Sequence, residues 1–372
     1  MLEDRNTHSV RPAEEKRKRK AGRSEDNFVC LTKAILAIML SASLAPLAAA
    51  PPTSLAALQP NTTVSSGASS SDATGLRVLN FHVHKAGGTS MCEMARLNHE
   101  STTSENCNLE YTRYGFNGDK EAMVSQSASA QQAYLRASSA TFGANECIAP
   151  RELPKGLVLM AALREPLERA ASHYYFDAGM SPNQLPDTVT SGMTFNDFVQ
   201  SHVSDDDYTK YYFTNYMTRY FSSTTHARPI GQAELARAKT HIDALDVLVD
   251  LDNFEGSIEQ LKGALPSWER TDLPSANHGG GGSRTVEMDA AAHKQLRDAN
   301  ALDIELYEHF QLAAATKANA RRAARLAAID SSGDLTSSNM TNVLRSSSAA
   351  VDRAELERRF HGDSIRIVVK DR

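Results

Sequence analysis

The chain has 372 residues, of which 41% are hydrophobic and 23% are charged. This is the ordinary composition of a globular protein, and the length is enough for one large domain with tails. The formal net charge of -5 argues against a general nucleic-acid binder. A local basic cleft is compatible with that sum, because a ligand meets the charges of its site and not the total.

A basic run, Lys16 to Lys20, precedes an apolar segment at residues 28–50. A basic flank before an apolar span favours a cytoplasmic N-terminus, here residues 1–27, with the rest of the chain beyond a membrane. The span also argues against a nuclear-localisation signal. Two interpretations remain open. The segment is a signal anchor, although its apolar part after Lys33 falls short of the ~20 residues of a span, or it is a signal peptide cleaved near its last alanines.

Residues 51–75 are rich in Pro, Ser, Thr and Ala and show no hydrophobic periodicity. This composition predicts a stem that links the membrane segment to a folded domain. Asn61 and Asn339 each begin an N-x-T triplet, and both are glycosylation acceptors if these segments face a lumen.

The next segment predicts a strand that turns through a glycine-rich loop into a helix. The apolar residues from Val78 to Val83 indicate the strand, and Gly87 and Gly88 allow a tight turn before a helix that begins at Thr89 or Ser90. Backbone N–H groups and a helix N-terminus attract anions, and Lys85 adds a full positive charge at the turn. The sequence therefore predicts a phosphate-binding loop.

The position of the lysine separates this loop from the commoner phosphate loop of kinases. In that loop the lysine follows the second glycine, and a Ser or Thr after it binds magnesium. Here Lys85 precedes both glycines, which counts against a nucleotide kinase or phosphotransferase, the first alternative function.

A second anion site is predicted after the apolar run at residues 156–163, which is typical of a buried parallel strand. Pro166 fits the first turn of a following helix. Arg164 would lie directly after the end of the strand, and Ser172 would lie two turns along the helix. Both could therefore reach one anion near the edge of the sheet. An arginine fork and a serine hydroxyl are good phosphate partners.

Two motifs, H-x-H-K-x-G-G-T-S at residues 82–90 and L-R-E-P-L-E-R-x-x-S-x-Y at residues 163–174, together resemble a known family. They are similar to the phosphate motifs of the Golgi carbohydrate sulfotransferases of the heparan sulfate 2-O and 6-O type, which use 3'-phosphoadenosine-5'-phosphosulfate (PAPS). The resemblance implies an α/β, three-layer, P-loop-like domain at residues 76–312, with a central, mainly parallel sheet and helices on both faces.

The same resemblance implies a function and a cofactor site. The chain would transfer a sulfuryl group from PAPS to a carbohydrate hydroxyl by in-line displacement, without a metal. Lys85 would stabilise the leaving oxygen, and Arg164 and Ser172 would bind the 3'-phosphate. The 5'-phosphate would be held by the loop and first helical turn, at Gly87, Gly88, Thr89 and Ser90.

Weaker similarities continue downstream. The aromatic segment at residues 215–221 either packs beside the acceptor groove or belongs to the core, and residues 246–251 predict a further buried strand and a helix after it. A glycine-rich loop ends at Arg284, which the resemblance makes a cofactor contact. The terminal N-x-x-D-x-x-L-Y pattern of the family is matched by Asn300, Asp303, Leu306 and Tyr307.

The acceptor hydroxyl also needs a general base. Family members place a histidine or glutamate between the two phosphate motifs, and residues 141–147 lack the histidine of the 2-O enzymes. Glu146 is the first candidate, at a pKa that a semi-buried site would have to raise. His84 is the second candidate, and His173 is assigned to the 3'-phosphate helix.

Of the four cysteines, Cys30 lies in the apolar segment. An oxidising lumen would allow one disulfide among Cys92, Cys107 and Cys147 and leave one thiol. The sequence leaves the pairing open, and Cys107 with Cys147 is the one we expect; no Cys/His spacing indicates zinc.

The resemblance implies a single-pass type II Golgi membrane protein with a luminal catalytic domain, or a secreted protein if the leader is cleaved. The expected partners are a carbohydrate acceptor and, through the apolar segment, the membrane; nucleic acid is not expected. Residues 313–372 predict a helical extension and a partly disordered tail. A catalytically inactive glycan-binding module with the same fold is the second alternative.

Overall fold

A parallel sheet forms the centre of the molecule. The computed structural model describes residues 75–103, 106–109, 127–146, 148–179, 192–225, 229–271, 284–332 and 365–370. The sheet has the order β2-β1-β3-β4 and every pairing is parallel. Its strands are β1 Val78–Phe81, β2 Phe142–Asn145, β3 Val158–Leu163 and β4 Val247–Asp250. Short apolar runs buried on both faces are typical of parallel sheets, and the prediction of a central, mainly parallel α/β sheet is confirmed.

Helices follow the strands as the sequence predicts. The glycine loop leads into a helix one residue before the expected start, and Pro166 is the first residue of the helix that carries Ser172. The helices are α1 Gly88–Leu97, α2 Ala128–Arg136, α3 Pro166–Ala178, α4 Phe195–His202, α5 Asp207–Phe213, α6 Tyr216–Phe221, α7 Gln232–Asp243, α8 Phe254–Ala264, α9 Ala290–Ala299 and α10 Ala301–Ser332.

One face of the sheet packs against α1 and α8. Val78 pairs in register with Phe142, and both lie in one buried cluster with Val247, with Met91 of α1 and with Leu261 of α8. Side chains of neighbouring parallel strands that share a register point to the same face. The main hydrophobic core therefore lies between the sheet and these two helices.

The opposite face meets α10. Asp250 at the end of β4 accepts hydrogen bonds from Tyr307, whose Oη lies 2.7 Å from Oδ1, and from Gln311, whose Nε2 lies 3.0 Å from Oδ2. Asp250 follows Val249, so its side chain points away from the α1–α8 core. The sheet thus carries helical contacts on both faces.

The terminal N-x-x-D pattern has a structural role. Asp303 accepts hydrogen bonds from the backbone N–H groups of Met217 and Thr218 at 2.8 and 2.7 Å, and Asn300 accepts one from the N–H of Asn215 at 2.9 Å. These contacts satisfy the free N–H groups at the start of α6. Every residue of α6 is buried, so the aromatic segment belongs to the core and not to a groove.

A second, two-stranded sheet lies outside the first. It consists of β5 Arg284–Asp289 and β6 Ile365–Lys370, which run parallel. Strand β6 lies within residues 313–372, for which the sequence predicts a helical extension and a partly disordered tail. Helix α10 continues to Ser332, beyond the predicted end of the domain at residue 312.

A disulfide joins Cys92 of α1 to Cys107, with their Cα atoms 5.7 Å apart. The expected pairing of Cys107 with Cys147 is therefore wrong. Residues 107–109 run along the outer edge of β2, where Ala144 donates its N–H to the carbonyl of Cys107 at 2.7 Å. This edge lies beside α1 because α1 packs on β2. The pairing therefore depends on a tertiary contact and not on the local sequence.

Several predictions fall outside the described residues. They are the basic tail, the apolar segment and nearly all of the stem (residues 1–74), both glycosylation triplets, Cys30 and Cys147, and the glycine-rich loop before Arg284. Among the residues that the structure describes, no helix is both long enough and apolar enough to cross a membrane.

Candidate functional site

The glycine loop presents a cationic turn at the start of α1. Lys85 and Gly87 both adopt left-handed backbone conformations, with φ of 65° and 78°. Gly87 is the N-cap of α1, and the first turn, which contains Thr89 and Ser90, has no acidic residue. Since a glycine N-cap has no side chain to occupy the helix terminus, the N–H groups and the positive end of the helix dipole can meet an anion.

Glycine is favoured at position 87 by the left-handed backbone and required at position 88 by the surroundings. A Cβ at Gly87 would lie 2.8 Å from Cδ1 of Leu251, and a Cβ at Gly88 would lie 1.8 Å from Cδ2 of His82. The second clash is far inside van der Waals contact and involves a ring buried beneath the loop. The sequence predicted Gly88 as a phosphate contact but did not single out His82, the ring that requires a glycine there.

Lys85 is oriented by an aromatic ring of α3. Its Nζ lies 4.4 Å from the centroid of the Phe176 ring, a distance typical of a cation–π contact. The positive charge of Lys85 also acts on the buried carboxyl of Asp177, the next residue of α3. The loop lysine is therefore held against the helix that carries the second predicted anion site.

His84 and Glu146 form a hydrogen-bonded pair at the ends of β1 and β2. Nδ1 of His84 lies 2.7 Å from Oε1 of Glu146. Because an ionised carboxylate can only accept, Nδ1 carries the proton and Nε2 carries the lone pair. Nε2 is buried and has no hydrogen-bond partner among the described residues. Buried polar atoms normally have a partner, so the unsatisfied Nε2 is a candidate partner for a ligand hydroxyl.

The protonation states of this pair follow from its surroundings. Burial lowers the pKa of His84, and the hydrogen bond from its ring to Glu146 only partly opposes this. Burial alone would raise the pKa of Glu146, but the charge of His82 and the hydrogen bonds from His84 and Asn108 outweigh it, and the pKa falls below its usual range. The expected rise in the pKa of Glu146 is wrong.

This pair therefore divides the two roles that the sequence left between its members. An ionised carboxylate of low pKa is a weak base, whereas a neutral imidazole with a free Nε2 can accept a proton. The geometry makes His84 the better candidate for the general base and Glu146 the group that orients it.

The second predicted anion site lies at the end of β3. Arg164 is buried, and its Nε has no hydrogen-bond partner in the described part of the chain. Its Nη2 lies 3.4 Å from Oε2 of Glu168, which is a weak contact. Burial raises the pKa of Glu168 to about 7, although Arg164 opposes that rise. Ser172 is buried one turn further along α3.

Helix α3 brings the two predicted anion sites together. His173, next to Ser172, packs its ring edge-on against His84 with the centroids 4.9 Å apart, and Phe176 contacts both His84 and Lys85. The loop and the arginine motif thus meet at the carboxyl edge of the sheet. Ligands of open α/β sheets bind at this edge.

Arg284 is placed differently from the other predicted site residues. It begins β5 in the two-stranded sheet, where it pairs with Ile365. Its assignment as a cofactor contact stays a prediction, because the loop that leads to it lies outside the described residues.

Comparison with known proteins adds no relative. No protein-family model matches the chain, and no curated protein matches it. The functional assignment therefore depends on the motifs and on the geometry of the site.

Proposed function

We propose that this chain is a PAPS-dependent sulfotransferase that acts on a carbohydrate hydroxyl, built on a three-layer, P-loop-like α/β domain. The observation that supports the proposal best is the meeting of Lys85 and the His84–Glu146 pair with α3, the helix that carries Ser172. The groups that bind the charged cofactor and the group that activates the acceptor hydroxyl would thus lie at one edge of the sheet.

The residues present fit a nucleotide with phosphates at two positions. A Cβ at either loop glycine would clash with a neighbouring side chain, so the turn keeps a bare backbone, and the buried Nε of Arg164 has no hydrogen-bond partner among the described residues. PAPS, when bound, supplies the sulfuryl group and a nucleotide phosphate as the leaving group. Gly87, Gly88, Thr89 and Ser90 would hold its 5'-phosphate by backbone and hydroxyl donors.

The charged side chains have separate tasks. Lys85 neutralises the negative charge that develops at the leaving oxygen, because a preorganised cation in a site with little water stabilises such charge strongly. Arg164 and Ser172 bind the 3'-phosphate, and the arginine fork gives this contact its direction. That contact would distinguish PAPS from ATP.

His84 removes the proton of the acceptor hydroxyl. Its Nε2 would accept that proton, and Nδ1–H would remain bonded to Glu146. The carboxylate stabilises the imidazolium that results and keeps the ring in the correct tautomer. General-base assistance of this kind contributes about a hundredfold to ten-thousandfold in rate.

The remaining parts of the proposal concern location and partners. The apolar segment at residues 28–50 would anchor a type II Golgi protein, or would be cleaved to release a secreted one. The catalytic domain would face the lumen, where it meets its glycan acceptor, and the disulfide Cys92–Cys107 fits an oxidising compartment.

The test is calorimetric binding of 3'-phosphoadenosine-5'-phosphate to the full chain, with magnesium-ATP as the comparison. We expect metal-independent binding of the 3'-phosphorylated nucleotide and weak binding of ATP. Preference for magnesium-ATP would refute the sulfotransferase and favour a kinase.

Two substitutions assign the roles. Lys85→Ala should abolish sulfuryl transfer, whereas Lys155→Ala should not, because Lys155 is exposed just before the start of β3, at the other edge of the sheet. Arg164→Ala should weaken binding of the 3'-phosphorylated nucleotide and leave its dephosphorylated analogue unchanged. Equal losses for both nucleotides would place Arg164 away from the 3'-phosphate.

A further inference from the structure

Glu146 is held at both of its oxygens. Oε1 accepts from Nδ1 of His84 at 2.7 Å, and Oε2 accepts from Nδ2 of Asn108 at 2.7 Å. A carboxylate with a single donor can rotate about its last bond, whereas this one must break a short hydrogen bond to do so. Asn108 therefore fixes the plane in which Glu146 presents Oε1 to His84.

The position of Asn108 is set by the backbone around it. Leu109 donates its N–H to the carbonyl of Ala144 at 3.0 Å, and the N–H of Ala144 reaches the carbonyl of Cys107 at 2.7 Å. Asn108 thus lies on a short segment that runs parallel to β2. It pairs with Ala144, which is two residues before Glu146 in the sequence. The segment lies beside Glu146 because both follow the same strand edge.

The disulfide ties this segment to the phosphate loop. Cys107 precedes Asn108 and is bonded to Cys92, which lies in the second turn of α1. Helix α1 begins at Gly88, directly after the loop that carries His84 and Lys85. The disulfide therefore joins α1, the helix that follows His84, to the segment whose Asn108 orients Glu146.

We propose that Asn108 is a positioning residue for the His84–Glu146 pair and that the disulfide Cys92–Cys107 anchors Asn108. This inference rests on the proposed function for its catalytic consequence, but its structural consequence does not depend on turnover. With Asn108 in place, Glu146 keeps one orientation and the imidazole of His84 keeps the Nδ1–H tautomer. Without it, the carboxylate rotates and both tautomers of the ring are populated.

The surroundings of His84 explain why the tautomer needs such support. The ring faces the charges of His82 and Lys85 as well as that of Glu146, and it packs against His173 and Phe176. Of the hydrogen bonds described here, only that with Glu146 selects a ring nitrogen. If Glu146 loses its orientation, the proton is no longer fixed at Nδ1, and the lone pair is no longer fixed at Nε2.

The test compares Asn108→Ala with Asn98→Ala in the full chain. Asn98 is a matched control because its side chain bonds to the carbonyl of Arg270 at 2.6 Å, at the far end of α1. The first readout is the pair of ring ¹⁵N shifts of His84, assigned with a His84→Gln spectrum. We expect one neutral tautomer in the wild type and in Asn98→Ala, and a mixture in Asn108→Ala.

The second readout is transfer. We expect Asn108→Ala to lower kcat about tenfold to hundredfold, because it removes a hydrogen bond to a charged group. The affinity for 3'-phosphoadenosine-5'-phosphate should change less than about twofold. A single Nδ1–H tautomer and wild-type kcat in Asn108→Ala would overturn the proposal.

The double variant Cys92→Ala, Cys107→Ala tests the anchor and retains Asn108 if the first variant fails to fold. We expect a partial mixture of tautomers and a smaller loss of kcat. A fixed tautomer in this variant would overturn the role of the disulfide. If the wild type neither binds the nucleotide nor transfers sulfate, the proposed function fails, and the ¹⁵N shifts still decide the role of Asn108.

Discussion

Asp177 is a buried carboxyl group whose ionisation should control the pH dependence of stability. It is fully buried on α3 and accepts a hydrogen bond from the Oη of Tyr208 at 2.8 Å. Burial raises its pKa to about 7, against the opposing effects of that hydrogen bond and of the charges of Lys85 and Arg169. The perturbation we consider is Asp177→Asn, which removes the titration and keeps an acceptor for Tyr208.

The sign and size of the effect follow from proton linkage. The folded pKa is above the unfolded value of about 3.9, so the stability that Asp177 contributes is present below that value and lost as the pH rises through about 7. A shift of about three pKa units corresponds to about 4 kcal/mol over the whole titration. About 3 kcal/mol of this falls between pH 5 and pH 9.

The assay is urea unfolding of both proteins at several pH values, followed by fluorescence of Trp268, the only tryptophan of the chain. The free energy of unfolding of Asp177→Asn minus that of the wild type should rise with pH. Asp298→Asn serves as the control, because Asp298 is an exposed residue whose side chain contacts only Lys294 in the described ion pairs. A difference for Asp177→Asn that stays constant over the whole pH range would refute the reasoning.

Three further predictions concern the site. Gly88→Ala should displace the ring of His82 and cost about 1–3 kcal/mol of stability, and thermal unfolding that matches the wild type would contradict this packing. Phe176→Leu should lower kcat through the loss of the contact with Lys85, and Phe176→Tyr should restore it; equal kcat in both variants would exclude the cation–π contact. Glu168→Gln should tighten binding of the 3'-phosphorylated nucleotide near neutral pH, because an ionised Glu168 competes for the guanidinium at the end of β3. Its effect should vanish at a pH well below 7, where Glu168 is protonated, and calorimetry at both pH values measures the difference.

The elements that the sequence predicted are those with strong local signals. The strands β1, β3 and β4 are apolar except for Asn80 and Asp250, and Pro166 marks the start of α3 because its ring already has the backbone angle of a helix. The strand β2 was not predicted, since Phe142 to Asn145 is short and contains a glycine. Its place in the sheet comes from its register with β1, which no local pattern encodes.

The sequence predicted the charged residues of the candidate site but not the side chains that they contact. Lys85 and Arg164 stand out because each follows a predicted apolar strand, and Glu146 stands out because it lies between the two phosphate motifs. Asn108 and His82 do not, since one lies in a segment without periodicity and the other is a strand-end residue like many others. Their roles arise from parallel strands that place distant residues at one edge, so a sequence pattern gives no sign of them.

The small sheet has a consequence for the handling of this protein. Strand β6 provides the parallel partner of β5 along six residue pairs, from Arg284–Ile365 to Asp289–Lys370. Removal of residues 365–370 would leave β5 with a row of unsatisfied backbone groups, and such an edge recruits other chains. A C-terminally trimmed protein would therefore self-associate through β5, even though the main sheet and the residues at its edge remain intact.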